Sequence, residues 1–246
     1  MTTPTTDAER FWDGAAAAYD AAHDLESAGT PLRFRMHVVL RLLGSRPGNV
    51  LDCGMGPGRL LVELERRGWT VSGVDLSGEM VELARSRLPQ SDERLQQGSI
   101  ESIPFPAESF DAAVATGVLE YVDDLPRALA EVARVLRPGG VLIVGAPNTR
   151  ALSTLWRHRV VYSGIRAIKT LVRFGRPVPL RRPGLVSPRR LRFLLAAAGL
   201  HVEQVEHLVL VPAPFHALAP SPARRLAERL QRLRPPVGSL LGGQLV

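Results

Sequence analysis

Three glycines and two acids carry the densest chemical signal in the chain. Val50-Leu51-Asp52-Cys53-Gly54-Met55-Gly56-Pro57-Gly58 links a short aliphatic run to a segment of helical periodicity. Asp75 ends a second β-branched run, 17 residues after Gly58. Glycines at 54, 56 and 58 let the backbone bend tightly and pass close to a ligand. The helix start beyond them offers free N–H groups. A carboxylate at the end of the next strand can accept both hydroxyls of a ribose. These are the parts of a nucleotide site at the carboxyl ends of parallel strands. A GxGxxG dinucleotide loop is excluded, because Arg59 stands where its third glycine belongs. Asp52 would repel a pyrophosphate but suits a cation or an ammonium group. The competing reading is a purely structural glycine-rich turn, and Asp75 weighs against it.

Other reactive side chains are sparse. Cys53 is the only cysteine, which excludes an internal disulfide and a multi-cysteine zinc site and fits a reducing, cytoplasmic setting. Within the loop it is expected as a small packed residue. His23, His37, His158, His201, His207 and His216 show no metal-ligand spacing, so no metal site is expected. Met1 to Asp7 lacks the basic and apolar regions of a signal peptide. His207 to Ala223 is uncharged but holds Pro212, Pro214, Pro220 and Pro222, which makes it a poor spanning helix.

These groups must be positioned by a scaffold, and the pattern names its class. The 246 residues are 45% hydrophobic, enough for one sizeable core. Strands are expected at 49–53, 70–75, 94–97, 110–116 and 141–146, with helices at 58–67, 78–88 and 125–136 between them. Pro89 ends the second helix and Pro138-Gly139-Gly140 stops the third. Strands alternating with helices predict an α/β fold with a parallel sheet and right-handed crossovers. The fully apolar run Val141–Val144 suits a sheet covered on both faces. A helical arm, residues 7–43, precedes this core. A helix at 188–198 capped by Gly199, a strand at 201–211 and a short strand at 240–246 follow it. The chain ends at Val246 with no closing charged residue, as a truncated or naturally short terminus would.

Charge divides the chain. The net +7 conceals 12 Arg against 21 acids in residues 1–131, and 19 basic residues against 3 acids in residues 132–246. No acid lies between Glu131 and Glu203. Coding bias explains why 30 of the 31 cations are Arg, but not this gap. The asymmetry points to a polyanion or an anionic surface as a partner of the second half.

The loop resembles motif I, D-x-G-x-G-x-G, of class I S-adenosylmethionine (SAM) dependent methyltransferases, and the resemblance runs on in order. Val74-Asp75-Leu76-Ser77-Gly78-Glu79-Met80 resembles the second motif. Gly98-Ser99-Ile100-Glu101-Ser102-Ile103-Pro104-Phe105 resembles the third. Phe110-Asp111-Ala112 through Glu120-Tyr121-Val122 resembles the fourth, and Leu136-Arg137-Pro138-Gly139-Gly140-Val141-Leu142 the turn and strand after it. Together they cover residues 49–147 and are similar to the small-molecule, UbiG-like or type 11 branch. The resemblance implies a Rossmann-like, seven-stranded, mostly parallel sheet with helices on both faces and a helical cap. It implies one domain: an arm at 1–48, a SAM-binding core at 49–147, a basic cap insert at 148–186, and a final helix and strands at 187–246. The implied cofactor is SAM. Asp52, Gly54, Gly56 and Gly58 form its loop, Asp75 binds the ribose, Leu76 and Met80 flank the adenine, and Ser99, Ile100 and Thr116 complete the site. Ser99 replaces the family's usual Asp, and Tyr121 replaces a frequent His, which removes a possible base or metal ligand.

Methyl transfer from a sulfonium needs positioning more than covalent help, and no mandatory catalytic motif is present. Phe11-Trp12-Asp13 with Tyr19-Asp20 resembles the branch's N-terminal arm, whose tyrosine lies over the cofactor or near the acceptor. Tyr19 is therefore the one catalytic candidate. Trp12 and Tyr19, seven apart, equally form one apolar helix face. Arg33 or Arg35 would bind the SAM carboxylate, or else stand in solvent. Thr116-Gly117-Val118-Leu119 replaces the [DN]-P-P-[YF] of base-modifying enzymes, so a nucleic-acid substrate is not expected. That leaves a small-molecule or lipid-like acceptor, methylated at oxygen first, with nitrogen or carbon next. The rival is a non-catalytic SAM-binding, membrane-associated protein.

The basic insert is read two ways. Val161, Ile165, Ile168 and Val172 make an apolar stripe beside Arg159, Arg166, Lys169, Arg173 and Arg176, with Trp156, Tyr162 and Phe174 near it. Residues 155–176 either pack on the core as an amphipathic cap or make peripheral contact with an anionic membrane.

Overall fold

The computed structural model describes residues 7–22, 31–147, 186–208 and 244–245. Two helices come first, α1 (Asp7–Ala22) and α2 (Pro31–Leu43). Five strands then alternate with helices: β1 (Asn49–Cys53), α3 (Arg59–Arg66), β2 (Thr70–Asp75), α4 (Gly78–Arg87), β3 (Leu95–Gln97), β4 (Phe110–Thr116), α5 (Leu125–Val135) and β5 (Leu136–Pro147). Helix α6 (Pro188–Ala197) follows, then two-residue strands β6 (His207–Leu208) and β7 (Gln244–Leu245).

The five strands form a parallel sheet in the order β3-β2-β1-β4-β5, and β7 and β6 continue that order antiparallel. The expected neighbours 50–53, 70–75, 110–116 and 141–146 do pair as adjacent parallel strands. The order reverses at β1, so β2 and β4 leave to opposite sides and a crevice opens above their carboxyl ends. Apolar side chains fill both faces. Leu61, Leu64, Val71 and Val81 pack with Val39 on one side. Leu51, Phe110, Leu129, Val132, Leu191 and Leu195 pack on the other.

Three local expectations differ from what the chain does. Strand β5 starts at Leu136, not Val141, because Leu136 already pairs with Phe110. The ladder breaks at Pro138, which has no N–H, and at Gly139 in the left-handed region, and resumes with Val141 opposite Ala112. Val141 is 47% exposed while Ile143, two residues on and on the same face, is 4%, so cover over that face begins only past the strand's resumption at Val141. Residues 201–206 form no strand, and only His207–Leu208 of the expected 201–211 pairs among the described residues. The helix before it ends as its sequence indicates: Gly199 donates to Ala196 O and Leu200 to Leu195 O, with Gly199 at φ 81°. The basic insert at 155–176 lies outside the described residues. No described helix is long and apolar enough to cross a membrane.

Candidate cofactor site

The glycine loop is built from the carboxyl end of β1 and is tied to β2. Val74 O accepts from both Gly54 N and Met55 N, at 2.8 and 3.2 Å. Gly56 N donates to Asp75 Oδ2 at 2.8 Å, and Ser77 N donates to Asp75 Oδ1 at 3.0 Å. Asp75 thus fixes the loop on one side and the start of α4 on the other. Each of its oxygens keeps a lone pair for a further donor. Burial pushes its carboxyl above the ordinary range, against the pull of the Ser77 and Gly56 N–H groups.

The space in front of the loop distinguishes its glycines. A Cβ on Gly54 would stand 2.7 Å from Val118 Cβ, and one on Gly58 would stand 2.9 Å from Ala84 Cβ. A Cβ on Gly56 would meet nothing within 4 Å. The first and last glycines are closed in by protein, while the middle one faces open space beside Asp75. A nucleoside-bearing ligand fits there, with its hydroxyls on Asp75 and its chain over Gly56.

A second group of polar side chains meets at the other end of the loop. Asp52, near the end of β1, is 4% exposed. Burial and then the charge of Asp75 push it up to about 7, with Arg35 opposing. Arg35 reaches in from α2 and covers Gly117, where any side chain would collide with its Nη1. The buried Arg35 Nε has no hydrogen-bond partner among the described residues. A buried guanidinium N–H without an acceptor is costly, and an anionic ligand group would relieve it. Arg35 is one of the two arginines expected to serve a carboxylate, and it reaches over Gly117.

Helix α1 lies across this crevice. Asp13 Oδ1 accepts from Ser77 Oγ at 2.6 Å and from Glu79 N at 3.3 Å. Asp20 pairs with Arg59 at 2.8 Å and Arg87 at 2.6 Å. Partial burial pushes Asp20 up, but the hydrogen bonds from Arg87 and Arg59 outweigh it and hold the carboxyl low. The neighbouring face of α1 is aromatic. Trp12 makes edge contacts with Tyr19 and with Tyr121, at centroid distances of 5.8 and 5.0 Å. Tyr19 feels Arg35, Asp75, Glu120 and Asp52, yet burial is the largest influence and raises its phenol.

All ten cofactor-site candidates fall at the carboxyl edge of β1–β4 or in the loops that follow. Asp52, Gly54, Gly56 and Gly58 come from β1 and its loop, Asp75, Leu76 and Met80 from the β2–α4 junction, Ser99 and Ile100 from beyond β3, and Thr116 from the end of β4. Gln97 joins the second and third groups through Nε2–H to Leu76 O, at 3.1 Å. Ser99 is partly committed, since its Oγ accepts Glu101 N–H at 3.1 Å, which leaves its hydroxyl proton and one lone pair. Met80 and Ile100 are 2% and 6% exposed, so Leu76 offers the more open surface. Cys53 is buried, and burial pushes its thiol far up, so it packs and does not react. Sequence reasoning missed the Asp20–Arg59–Arg87 tether and the seat of Tyr121 on Trp12. The seven-residue spacing of Asp13 and Asp20, repeated by Trp12 and Tyr19, was the available signal for both.

A family model described as a methyltransferase domain, type 11, matches residues 51–144. A ubiquinone/menaquinone biosynthesis C-methyltransferase, UbiE, of Syntrophotalea carbinolica is 34% identical over 161 residues, covering 63% of this chain and 68% of that protein. A malonyl-[acyl-carrier protein] O-methyltransferase of Serratia marcescens is 36% identical over 151 residues, covering 58% of this chain. The chain spans only 55% of that relative's length and 51% of a Salmonella typhimurium enzyme of the same name. Among solved structures, the geranyl diphosphate C-methyltransferase of Streptomyces coelicolor superposes with a TM-score of 0.61 at 18% identity, covering 99% of this chain and 97% of that one. That likeness shows the Rossmann-like methyltransferase fold.

Proposed function

The chain belongs to the SAM-dependent methyltransferases of the type 11 branch, and on that premise we propose that it moves a methyl group from SAM to an oxygen of a small, partly apolar or lipid-like acceptor. One observation carries the cofactor assignment: Gly56, bonded to Asp75, faces open space that neighbouring glycines lack. When bound, SAM supplies a methyl on a cationic sulfur with a neutral leaving group.

The protein's task is then orientation. Asp75 accepts the ribose hydroxyls on lone pairs not used by Gly56 and Ser77. Gly54 and Gly56 let the methionine portion lie on the backbone, with Gly58 opening α3 behind them. Arg35 takes its carboxylate, and Asp52 faces its ammonium group. Leu76, Met80 and Ile100 border the adenine, Ser99 accepts from its amino group, and Thr116 closes the β4 side. Trp12, Tyr19 and Tyr121 line the acceptor side and exclude water. Tyr19 donates a hydrogen bond there and takes no proton. Helix α1 covers the acceptor side. Holding acceptor and methyl about 3 Å apart supplies much of the rate gain.

Relatives named for C- and O-transfer make carbon the first alternative to oxygen, with nitrogen next. The rival class is a SAM-binding protein without turnover. Release of S-adenosylhomocysteine (SAH), screened against phenols, quinols, sugars and lipid extracts, separates them. Turnover in one fraction identifies the acceptor class. Cofactor binding with no turnover in any fraction sinks the enzymatic reading. We keep a cytoplasmic placement in this proposal, with residues 155–176 touching anionic membrane peripherally. Reversing Arg166, Lys169 and Arg173 to Glu tests that contact by vesicle sedimentation.

A further inference from the structure

Glu101 joins the two sides of the crevice. It is half-buried in the loop after β3, two residues past Ser99. That loop starts on the ribose side, where Gly98 N donates to Asp75 O at 2.8 Å. It then turns tightly. Ser102 N donates to Ser99 O at 3.0 Å, and Glu101 N donates to Ser99 Oγ at 3.1 Å. From this turn the Glu101 side chain reaches the segment that follows β4. There its Oε1 accepts from two successive backbone groups, Asp123 N at 2.7 Å and Asp124 N at 3.2 Å. Tyr121, two residues before Asp123, stands against Trp12 of α1 at a centroid distance of 5.0 Å.

Helix α5 does not require this contact. Asp124 caps it, with Oδ1 accepting Arg127 N at 3.1 Å. The helix holds the Glu101 loop by other bonds. Arg127 Nε donates to Glu101 O at 2.8 Å, and Glu131 Oε2 accepts from Ile103 N at 2.9 Å. The Glu101 carboxylate adds something separate. It fixes the chain just before α5, and with it the approach of Tyr121 to Trp12. Bonds from backbone N–H groups to a carboxylate are roughly twice as strong as those to a neutral oxygen.

We infer that Glu101 is a positioning residue that converts occupancy of the adenine side, felt at Ser99, into ordering of the Tyr121 segment on the acceptor side. The inference rests on the reading that adenine lies at Ser99 and Ile100. An adenine amino group on the remaining lone pair of Ser99 Oγ fixes that hydroxyl, and the hydroxyl fixes the Glu101 N–H bonded to it. The Glu101 carboxylate then holds Asp123 and Asp124, and Tyr121 closes on Trp12. The acceptor wall is completed only once the cofactor is in place.

Amide hydrogen exchange of the full chain, with and without SAH, tests this beside calorimetry and thermal unfolding. In the parent, SAH should slow exchange across residues 119–124. Glu101→Ala should remove most of that slowing, by about tenfold or more at Asp123 and Asp124, because charge-assisted bonds are lost. Coupling is reciprocal, so the same variant should bind SAH about fivefold more weakly. Glu101→Gln keeps an acceptor oxygen and should restore most of both effects. A parent that does not bind SAH overturns the cofactor reading and this inference with it. A parent that binds SAH without slower exchange at residues 119–124 overturns this inference alone. So does a Glu101→Ala variant that keeps the SAH-induced slowing, whatever its thermal midpoint, since Glu101 is then a structural residue only. So does a folded Glu101→Gln variant that restores neither effect.

Discussion

A Cβ on Gly54 would stand 2.7 Å from Val118 Cβ, so the first glycine of the loop is packed against the exit of β4. The same holds for Gly58 against Ala84, and fails for Gly56. A side chain at Gly54 or Gly58 would therefore break packing, while one at Gly56 would only occupy the open space in front of the loop. Gly54→Ala and Gly58→Ala should each lower the thermal midpoint, by the equivalent of about 1–3 kcal/mol of overpacking. Gly56→Ala strains only a φ of 52°, at about 1–2 kcal/mol, and its main effect should be on SAH affinity. Calorimetric titration beside thermal unfolding separates the two classes. A Gly56→Ala variant that binds normally would mean the open space is not the ligand's.

Asp52 makes stability depend on pH in a specific direction. Its carboxyl lies near 7 when folded and near the ordinary ~3.9 when unfolded. A raised carboxyl stabilises the folded state while protonated. That contribution is complete below about pH 4 and is lost as pH rises through about 7. Asp75, also raised, acts in the same sense. Asp20, Asp111 and Glu131 are held low and act oppositely, giving stability that disappears in acid. Asp52→Asn isolates the first effect in the cofactor-free protein. Its gain in stability over the parent should grow between about pH 5 and about pH 8, by up to a few kcal/mol. A constant difference across that range would show that Asp52 does not titrate there.

Asp20 fastens the far end of α1. Its carboxylate bridges Arg59 and Arg87 from part-buried positions. Charge-assisted hydrogen bonds of this kind are worth roughly 1.5–3 kcal/mol each. Asp20→Asn should raise amide hydrogen exchange in α1 and speed SAH release, while leaving β1, β2 and β4 protected. Unaltered exchange in α1 would show that Asp13 and the Trp12 contacts suffice to hold it.

The parallel core was legible because its signals are local. Apolar runs such as Val141–Val144 and turn residues such as Pro138 mark strands and boundaries without knowledge of partners. The loop and Asp75 were legible because glycine and acid spacing alone brings them to one crevice. What stayed hidden depends on pairing across the chain. Nothing local says that Leu136 joins β5, because that follows from Phe110 opposite it. That Arg35 comes to lie over Gly117 depends on α2 packing across the end of β4. Arg59 read only as a missing glycine until Asp20, 39 residues away, appeared beside it.

The central claim is that Asp75 and the glycine loop hold SAM. Titration calorimetry of the purified chain with SAM, beside Asp75→Asn, tests it most directly. The account predicts one-to-one binding by the parent and at least a tenfold loss in the variant, since charge-assisted bonds of roughly 1.5–3 kcal/mol each are removed. A parent that does not bind, or a correctly folded variant that binds as tightly as the parent, would contradict it.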